Sequence, residues 1–134
     1  MRRTITRGAA LAAAVFTLAC AEPTSPLDVV GTYALQSVNA SPLPFALAPG
    51  GATKVEVLDD ALFLASTSNY SEVGHKRYTV NGVVTVVAPV DAGTFSRRGK
   101  SIALESLLIG HWEGTISGNT LTLVQAGYTL VYTR

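Results

Sequence analysis

Side chains able to do chemistry are few in this chain, and they are scattered. Of its 134 residues one is cysteine, Cys20, and two are histidines, His75 and His111. Neither histidine stands in an H-x-x-x-H or H-E pattern, so the ligand spacing of zinc sites is missing. His111 and Glu113 are two residues apart, which on a strand places an imidazole and a carboxylate on one face for acid/base work. Parity puts that face opposite Trp112, so the pair reads as an exposed structural contact. Asp59-Asp60 offers two adjacent carboxylates for weak cation binding, but in a turn such a pair is ordinarily only solvated. A G-x-S-x-G elbow and a glycine-rich phosphate loop are both absent. The expectation is a protein that is not an enzyme, with no catalytic residues, no metal site and no cofactor.

Cys20 differs because of what precedes it. Arg2, Arg3 and Arg7 form a positive n-region, and Gly8 to Leu18 is an uninterrupted small or apolar run of 11 residues. That length suits the h-region of an export signal and is too short to span a bilayer. Thr17-Leu18-Ala19-Cys20 resembles the bacterial lipobox, in which cleavage falls between Ala19 and Cys20 and the thiol of Cys20 is acylated. The competing reading is a secretory signal cut after Ala19-Cys20-Ala21, an A-x-A-like site that leaves a lone cysteine without a use. The Arg2-Arg3 pair lacks the remainder of a twin-arginine motif. Three acyl chains on Cys20 are what the resemblance implies. One chain holds only marginally, at about 0.8 kcal/mol per buried methylene, whereas three hold permanently. Ala21 stands where an aspartate would favour inner-membrane retention. The expected address is therefore the bacterial envelope, at the outer membrane, with the domain facing the periplasm or the surface.

Removing residues 1–19, the signal peptide, leaves 115 residues and moves the formal charge from +1 to −2. That is one domain by length, with no electrostatic footprint for nucleic acid. Arg97, Arg98 and Lys100 flank Gly99 and read as a solvated turn. Residues 20–28 read as the lipidated cysteine and a Pro, Ser and Thr tether, extended rather than packed. The folded domain is expected over 29–134.

Within that domain the hydrophobic period is two. Tyr33 and Leu35, Val55 and Val57, Tyr78 and Val80, Trp112 and Ile116, Leu121 and Leu123, and Leu130 and Tyr132 each alternate with polar or small neighbours. Threonine enrichment on the opposite parity suits a solvated pleat. Asn81-Gly82 and Gly118-Asn119 are strong tight-turn signals; Asp59-Asp60 and Ala126-Gly127 are weaker ones. Ser101 to Ile109 has helix formers, but its length and neighbours favour a strand. The fold class is all-β: eight or nine short strands in an up-and-down antiparallel β-barrel, with a sandwich as the alternative. The core should also collect Leu62, Leu64, Val84, Val86, Ile102 and Leu104. Short strands, narrow apolar faces and missing aromatic girdles argue against a membrane-spanning barrel.

Gly31-Thr32-Tyr33-Ala34-Leu35-Gln36-Ser37-Val38-Asn39, followed by Pro42-Leu43-Pro44, resembles the first strand of small lipocalin-like bacterial lipoproteins. Gly114 to Leu123, and Leu130 to Arg134, are similar to the closing hairpin of the same group, which shares much of this pattern with META-type lipoproteins. The resemblance implies that Tyr33 and Arg134 pair at one barrel end through a cation–π contact. It also implies a lid over the barrel mouth at the position of Ala40 to Ala52.

That connection, 13 residues long, is out of proportion for a hairpin and is apolar as well as Pro/Gly-rich. As a lid it would gate a small apolar cavity; as a plug it would fill the open end. Leu43, Phe45, Leu47, Leu64, Tyr78, Trp112 and Leu123 are the residues expected to line such a cavity or cover it. Two function classes follow. One is an anchored barrel that binds a small hydrophobic ligand. The other is a filled barrel that acts through its surface on an envelope protein. A cavity of roughly 300 Å³ or more with apolar lining separates them.

Overall fold

A computed structural model describes residues 26–48 and 51–134. Ala19, Cys20 and the rest of the expected signal peptide, 1–19, lie outside the described residues. The alternating segments and their turns become eleven strands, each antiparallel to its neighbours. In chain order they are β1 (Gly31–Val38), β2 (Ser41–Pro42), β3 (Phe45–Ala48), β4 (Thr53–Leu64), β5 (Asn69–Val80) and β6 (Val83–Val87). There follow β7 (Val90–Arg98), β8 (Ser101–Ser106), β9 (His111–Ser117), β10 (Thr120–Gln125) and β11 (Tyr128–Thr133). A 3-10 turn, Pro26–Val29, precedes β1.

β1 closes the sheet. It pairs with β11 through Leu35↔Tyr132 and with β4 through Tyr33↔Leu62. The ring β1-β4-β5-β7-β8-β9-β10-β11 is thus a closed, eight-stranded, up-and-down barrel, not a sandwich. Closure removes the free edges that an open meander would leave.

β4 and β5 run 12 residues each and outlast the ring. The Ala61–Leu64 half of β4 pairs with β1, while Val55 and Val57 pair with β3. The first half of β5 pairs with β7 and its Lys76–Val80 half with β6. The far halves, flanked by β3 and β6, form a four-stranded wall that rises beyond one end of the barrel. Asn81-Gly82 makes the tight turn there, both residues at positive φ (49° and 81°).

Inward-facing residues fill the other half of the barrel. Tyr33, Leu62, Leu64, Leu104, Trp112, Leu121, Leu123 and Tyr132 are almost wholly buried. Val29, Val38, Tyr70 and Phe95 join this core, and the alternation above did not single them out.

Several expectations need correction. Val84 and Val86, assigned to the core, are 58% and 52% exposed, because β6 pairs only with the wall half of β5 and has no second layer to pack on. Val80 is exposed for the same reason. Asp59-Asp60 is not a turn; both residues lie within β4 beside a bulge between Val57 and Asp59. Arg97 is not solvated. Its side chain is 15% exposed, pairs with Asp28 at 3.6 Å and donates from Nε to the Gly99 carbonyl at 2.7 Å. The connection 40–52 carries β2 and β3, so it is a strand-bearing excursion and not a bare loop. With β4 and β5 at 12 residues and β7 at 9, the strands are not uniformly short either.

Candidate functional site

The two ends of the barrel are built differently. At the end where the chain begins β1, Tyr33 is fully buried and donates its hydroxyl to the Val29 carbonyl at 2.9 Å. The Arg134 guanidinium lies over the Tyr33 ring, 5.5 Å from its centre, so the barrel-end pair is in contact. Arg134 also donates to the carbonyls of Asp28 and Val30 at 3.3 and 2.9 Å and to Asn119 Oδ1 at 3.2 Å. Its stem lies against Gly31. A Cβ there would come within 2.8 Å of Arg134 Cδ, and φ is +146°, so the position requires glycine. This end is sealed.

The opposite end is open. A cavity of about 350 Å³ occupies the mouth, bounded by the last inward residues of the strands and by the wall. Leu35 and Val38 come from β1, Leu47 from β3, Val57 from β4, and Tyr128 and Leu130 from β11. Pro89 and Val90 lie where β6 passes into β7, and Leu108 and Ile109 hang from the β8–β9 connection. These make an apolar rim.

The lining is acidic on one side. Inward parity along β5 gives Tyr70, Glu72, Gly74 and Lys76, and the register sets Glu72 directly opposite Asp91 of β7. On β4, Asp60 shares the inward parity of Leu62 and Leu64, just past the bulge. Asp60, Glu72, Asp91 and Lys76 all line the cavity. Tyr132 donates to Asp60 Oδ2 at 2.7 Å and Tyr70 donates to Asp91 Oδ2 at 2.8 Å. Asp60 Oδ1, Glu72 Oε2 and Asp91 Oδ1 are buried without a hydrogen-bond partner. Burial pushes the Glu72 carboxyl up to about 9, and the neighbouring Asp60 and Asp91 push it the same way. Burial also raises Asp60, against the hydrogen bonds from Glu72 and Tyr132 that lower it. Both shifts run the same way: burial and the neighbouring carboxyls favour the protonated form in this group of acids. Burial likewise raises the Tyr70 and Tyr132 hydroxyls, which keeps both as donors.

Comparison with family models, curated proteins and solved structures finds no match to this chain.

Of the residues expected to line or cover a cavity, Leu47 does so. Leu43 and Phe45 pack against the core, Phe45 edge-on to Tyr128 with ring centres 6.0 Å apart. Leu64, Trp112 and Leu123 are buried in the filled half and not at the cavity wall, and Tyr78 sits half-buried on the four-stranded extension. His111 contacts Glu105 at 2.5 Å and Glu113 at 3.1 Å on the outer surface, and these hydrogen bonds, Glu105 first, raise its pKa. His75 meets Asp59 at 2.6 Å, also exposed. Among the described residues no three His, Cys, Asp or Glu side chains are grouped to hold a metal ion. Glu72, Lys76 and Asp91 are not among the residues the sequence pattern points to, and Asp60, expected in a solvated turn, is buried at the cavity instead. The signal for two of them was present: Tyr70, Glu72, Gly74 and Lys76 continue the parity of Tyr78 back along one strand.

A second concavity, about 600 Å³, is a groove on the outer face between Phe63, Val73 and Leu107. Leu107 is 82% exposed, so this groove does not enclose an occupant as the mouth does.

Proposed function

We propose that this chain is an exported, lipid-anchored barrel of the lipocalin-like kind that holds a small, largely apolar molecule in its mouth. The cavity carries the reading. Its volume reaches the range of small-molecule sites, its walls are mainly aliphatic, and a few polar groups converge on one side. The excursion through β2 and β3 leaves this space open and contributes Leu47 to its wall, which supports a lid over a plug. The sealed opposite end supports a one-mouthed container. Cys20 as acyl acceptor accounts for an export signal that ends on the chain's one cysteine.

The test is native mass spectrometry of the full chain carrying Cys20→Ala, which removes the acyl acceptor, purified from a bacterial envelope fraction. A co-purifying adduct, displaced by a fluorescent fatty-chain probe that binds at one site, is the expected result. A bare mass with no probe binding would return the protein to the second reading, an interaction lipoprotein acting through its surface. One observation favours that second reading: β6 exposes Val83, Val84, Val86 and Val87, and among the described residues its outer edge has no partner.

A further inference from the structure

Among the described residues neither edge of the four-stranded wall has a partner, and only one of the two edges is guarded. β3 is four residues long, carries a bulge between Ala46 and Ala48, and packs Phe45 and Leu47 against the core. Shortness and bulges are devices that keep a strand edge from pairing with another chain. β6 has no such protection. Val83-Val84-Thr85-Val86-Val87 runs against β5 without a bulge, holds no charge and no proline, and is exposed at all five residues. We propose that β6 pairs antiparallel with β6 of a second copy of this chain, about a two-fold axis at Thr85. The contact depends on the wall alone and not on what the cavity holds.

Sequence and register both select a second copy. The strand reads the same in either direction about Thr85, so antiparallel pairing sets Thr85 against Thr85, Val84 against Val86 and Val83 against Val87. Each valine then meets a valine, the self-complementary arrangement of a closed dimer. A strand from a different protein would need no such symmetry. The backbone agrees. The two-residue turn Asn81-Gly82, with both φ values positive, makes Val80 and Val83 a hydrogen-bonded pair. Val83, Thr85 and Val87 therefore direct their N–H and C=O groups to β5, and Val84 and Val86 direct theirs to the open edge. A register centred on Thr85 sets those two residues against each other and satisfies every outward group. Shifting it by two residues sets one of them against Gly82 or Ala88, outside the strand.

Charge is compatible with this pairing. Lys76 and Arg77 of β5 stand beside Val87 and Val86, which face Val83 and Val84 of the second copy, so no like charges meet across the axis. Arg77 is also paired with Glu56 at 2.7 Å. Val83 and Val84 are 68% and 58% exposed, yet a five-residue edge buries less than the ~1,200 Å² of a standard interface. The dimer is therefore of the weak, concentration-dependent class. It joins the two walls into one continuous sheet and sets the barrels end for end, with their sealed ends outermost.

Sedimentation equilibrium of the full Cys20→Ala chain, which has no other cysteine, is the first test. Its mass should rise from monomer toward dimer with a midpoint on the order of 100 µM, the weak end expected for so small a contact. On the same background Thr85→Cys should cross-link two chains on mild oxidation, because its Cα atoms would lie about 4.5 Å apart across the axis. Val83→Cys should not, because its two copies would stand about 13 Å or more apart. Val84→Lys with Val86→Lys sets lysine against lysine and should weaken association at least about tenfold, whereas Val84→Lys with Val86→Glu should restore most of it. A chain that stays monomeric at about 500 µM, well above that midpoint, overturns the proposal. Association that the paired lysines leave intact, or cross-linking as fast at Val83→Cys as at Thr85→Cys, overturns it too by placing the contact elsewhere. The concentration dependence needs no substitution in β6, so it decides even if a variant fails to fold, and every one of these outcomes leaves the cavity reading untouched.

Discussion

Glu72 faces Asp91 across the β5–β7 ladder and has Asp60 beside it, an arrangement that costs stability in a sheet unless protons or cations relieve it. Glu72 keeps its proton to about 9 in the folded chain, whereas an unfolded glutamate releases it near 4.5. Between those values the folded state binds more protons than the unfolded one, so stability falls as pH rises through that window. Urea denaturation at pH 5, 7 and 9 should show this decline. Glu72→Gln keeps the neutral form, so it should flatten most of the slope and raise stability at pH 9 relative to the parent; an unchanged slope would exclude Glu72 as its source. At the sealed end, Arg134 joins the ring of Tyr33 to three acceptors. Arg134→Ala should cost about 1–3 kcal/mol in chemical denaturation, and Arg134→Lys should recover little of it, since an ammonium cannot reproduce the planar fork over the ring.

Among the elements, two bulges decide most of what was and was not legible. In β1 the register shifts between Leu35 and Ser37, so Leu35 and Val38 both point inward although they differ in parity. In β4 the shift between Val57 and Asp59 does the same for Val57 and Asp60. A break of alternation followed by two aspartates is what a turn also looks like in sequence, and periodicity alone does not separate the two. The strands themselves were legible wherever alternation ran unbroken, as from Trp112 to Ile116 and from Leu121 to Leu123. The exposed valines of β6 were not, because alternation reports two faces and not whether a second layer exists to cover one. The carboxyls of the mouth carry no such signal, because in sequence a core position is marked by an apolar residue. Gly114 shows the closeness of packing between β9 and β10. A Cβ at this position would stand 1.9 Å from the Thr122 carbonyl oxygen, a backbone atom that cannot turn aside. Gly114→Ala should therefore cost about 3 kcal/mol, at the upper end for overpacking, whereas Ser117→Ala on the exposed face should change stability by less than about 0.5 kcal/mol.

For the whole molecule, a closed barrel followed from hairpin signals and chain length, but the division into a filled half and an open half did not. That division depends on how far β4 and β5 outrun their neighbours, and turn residues do not report it. Export and anchoring rest on residues 1–20, and their test is separate. Metabolic labelling with palmitate should mark the parent chain and not Cys20→Ala, and an inhibitor of signal peptidase II should make the longer precursor accumulate; label retained by Cys20→Ala would remove the anchor. If the anchor holds, the direction in which the chain joins the barrel acquires a meaning of its own. Cys20 precedes Pro26 by six residues, which span at most about 20 Å fully extended, whereas a strand as long as β4 covers about 40 Å. The sealed end is thus the foot of a cup standing on its membrane, with its lip held out in the aqueous space. If the mouth also binds a ligand as proposed, a molecule leaving that same bilayer must first cross water to be caught, so loading should follow its free monomer concentration and not the amount sitting in the membrane underneath.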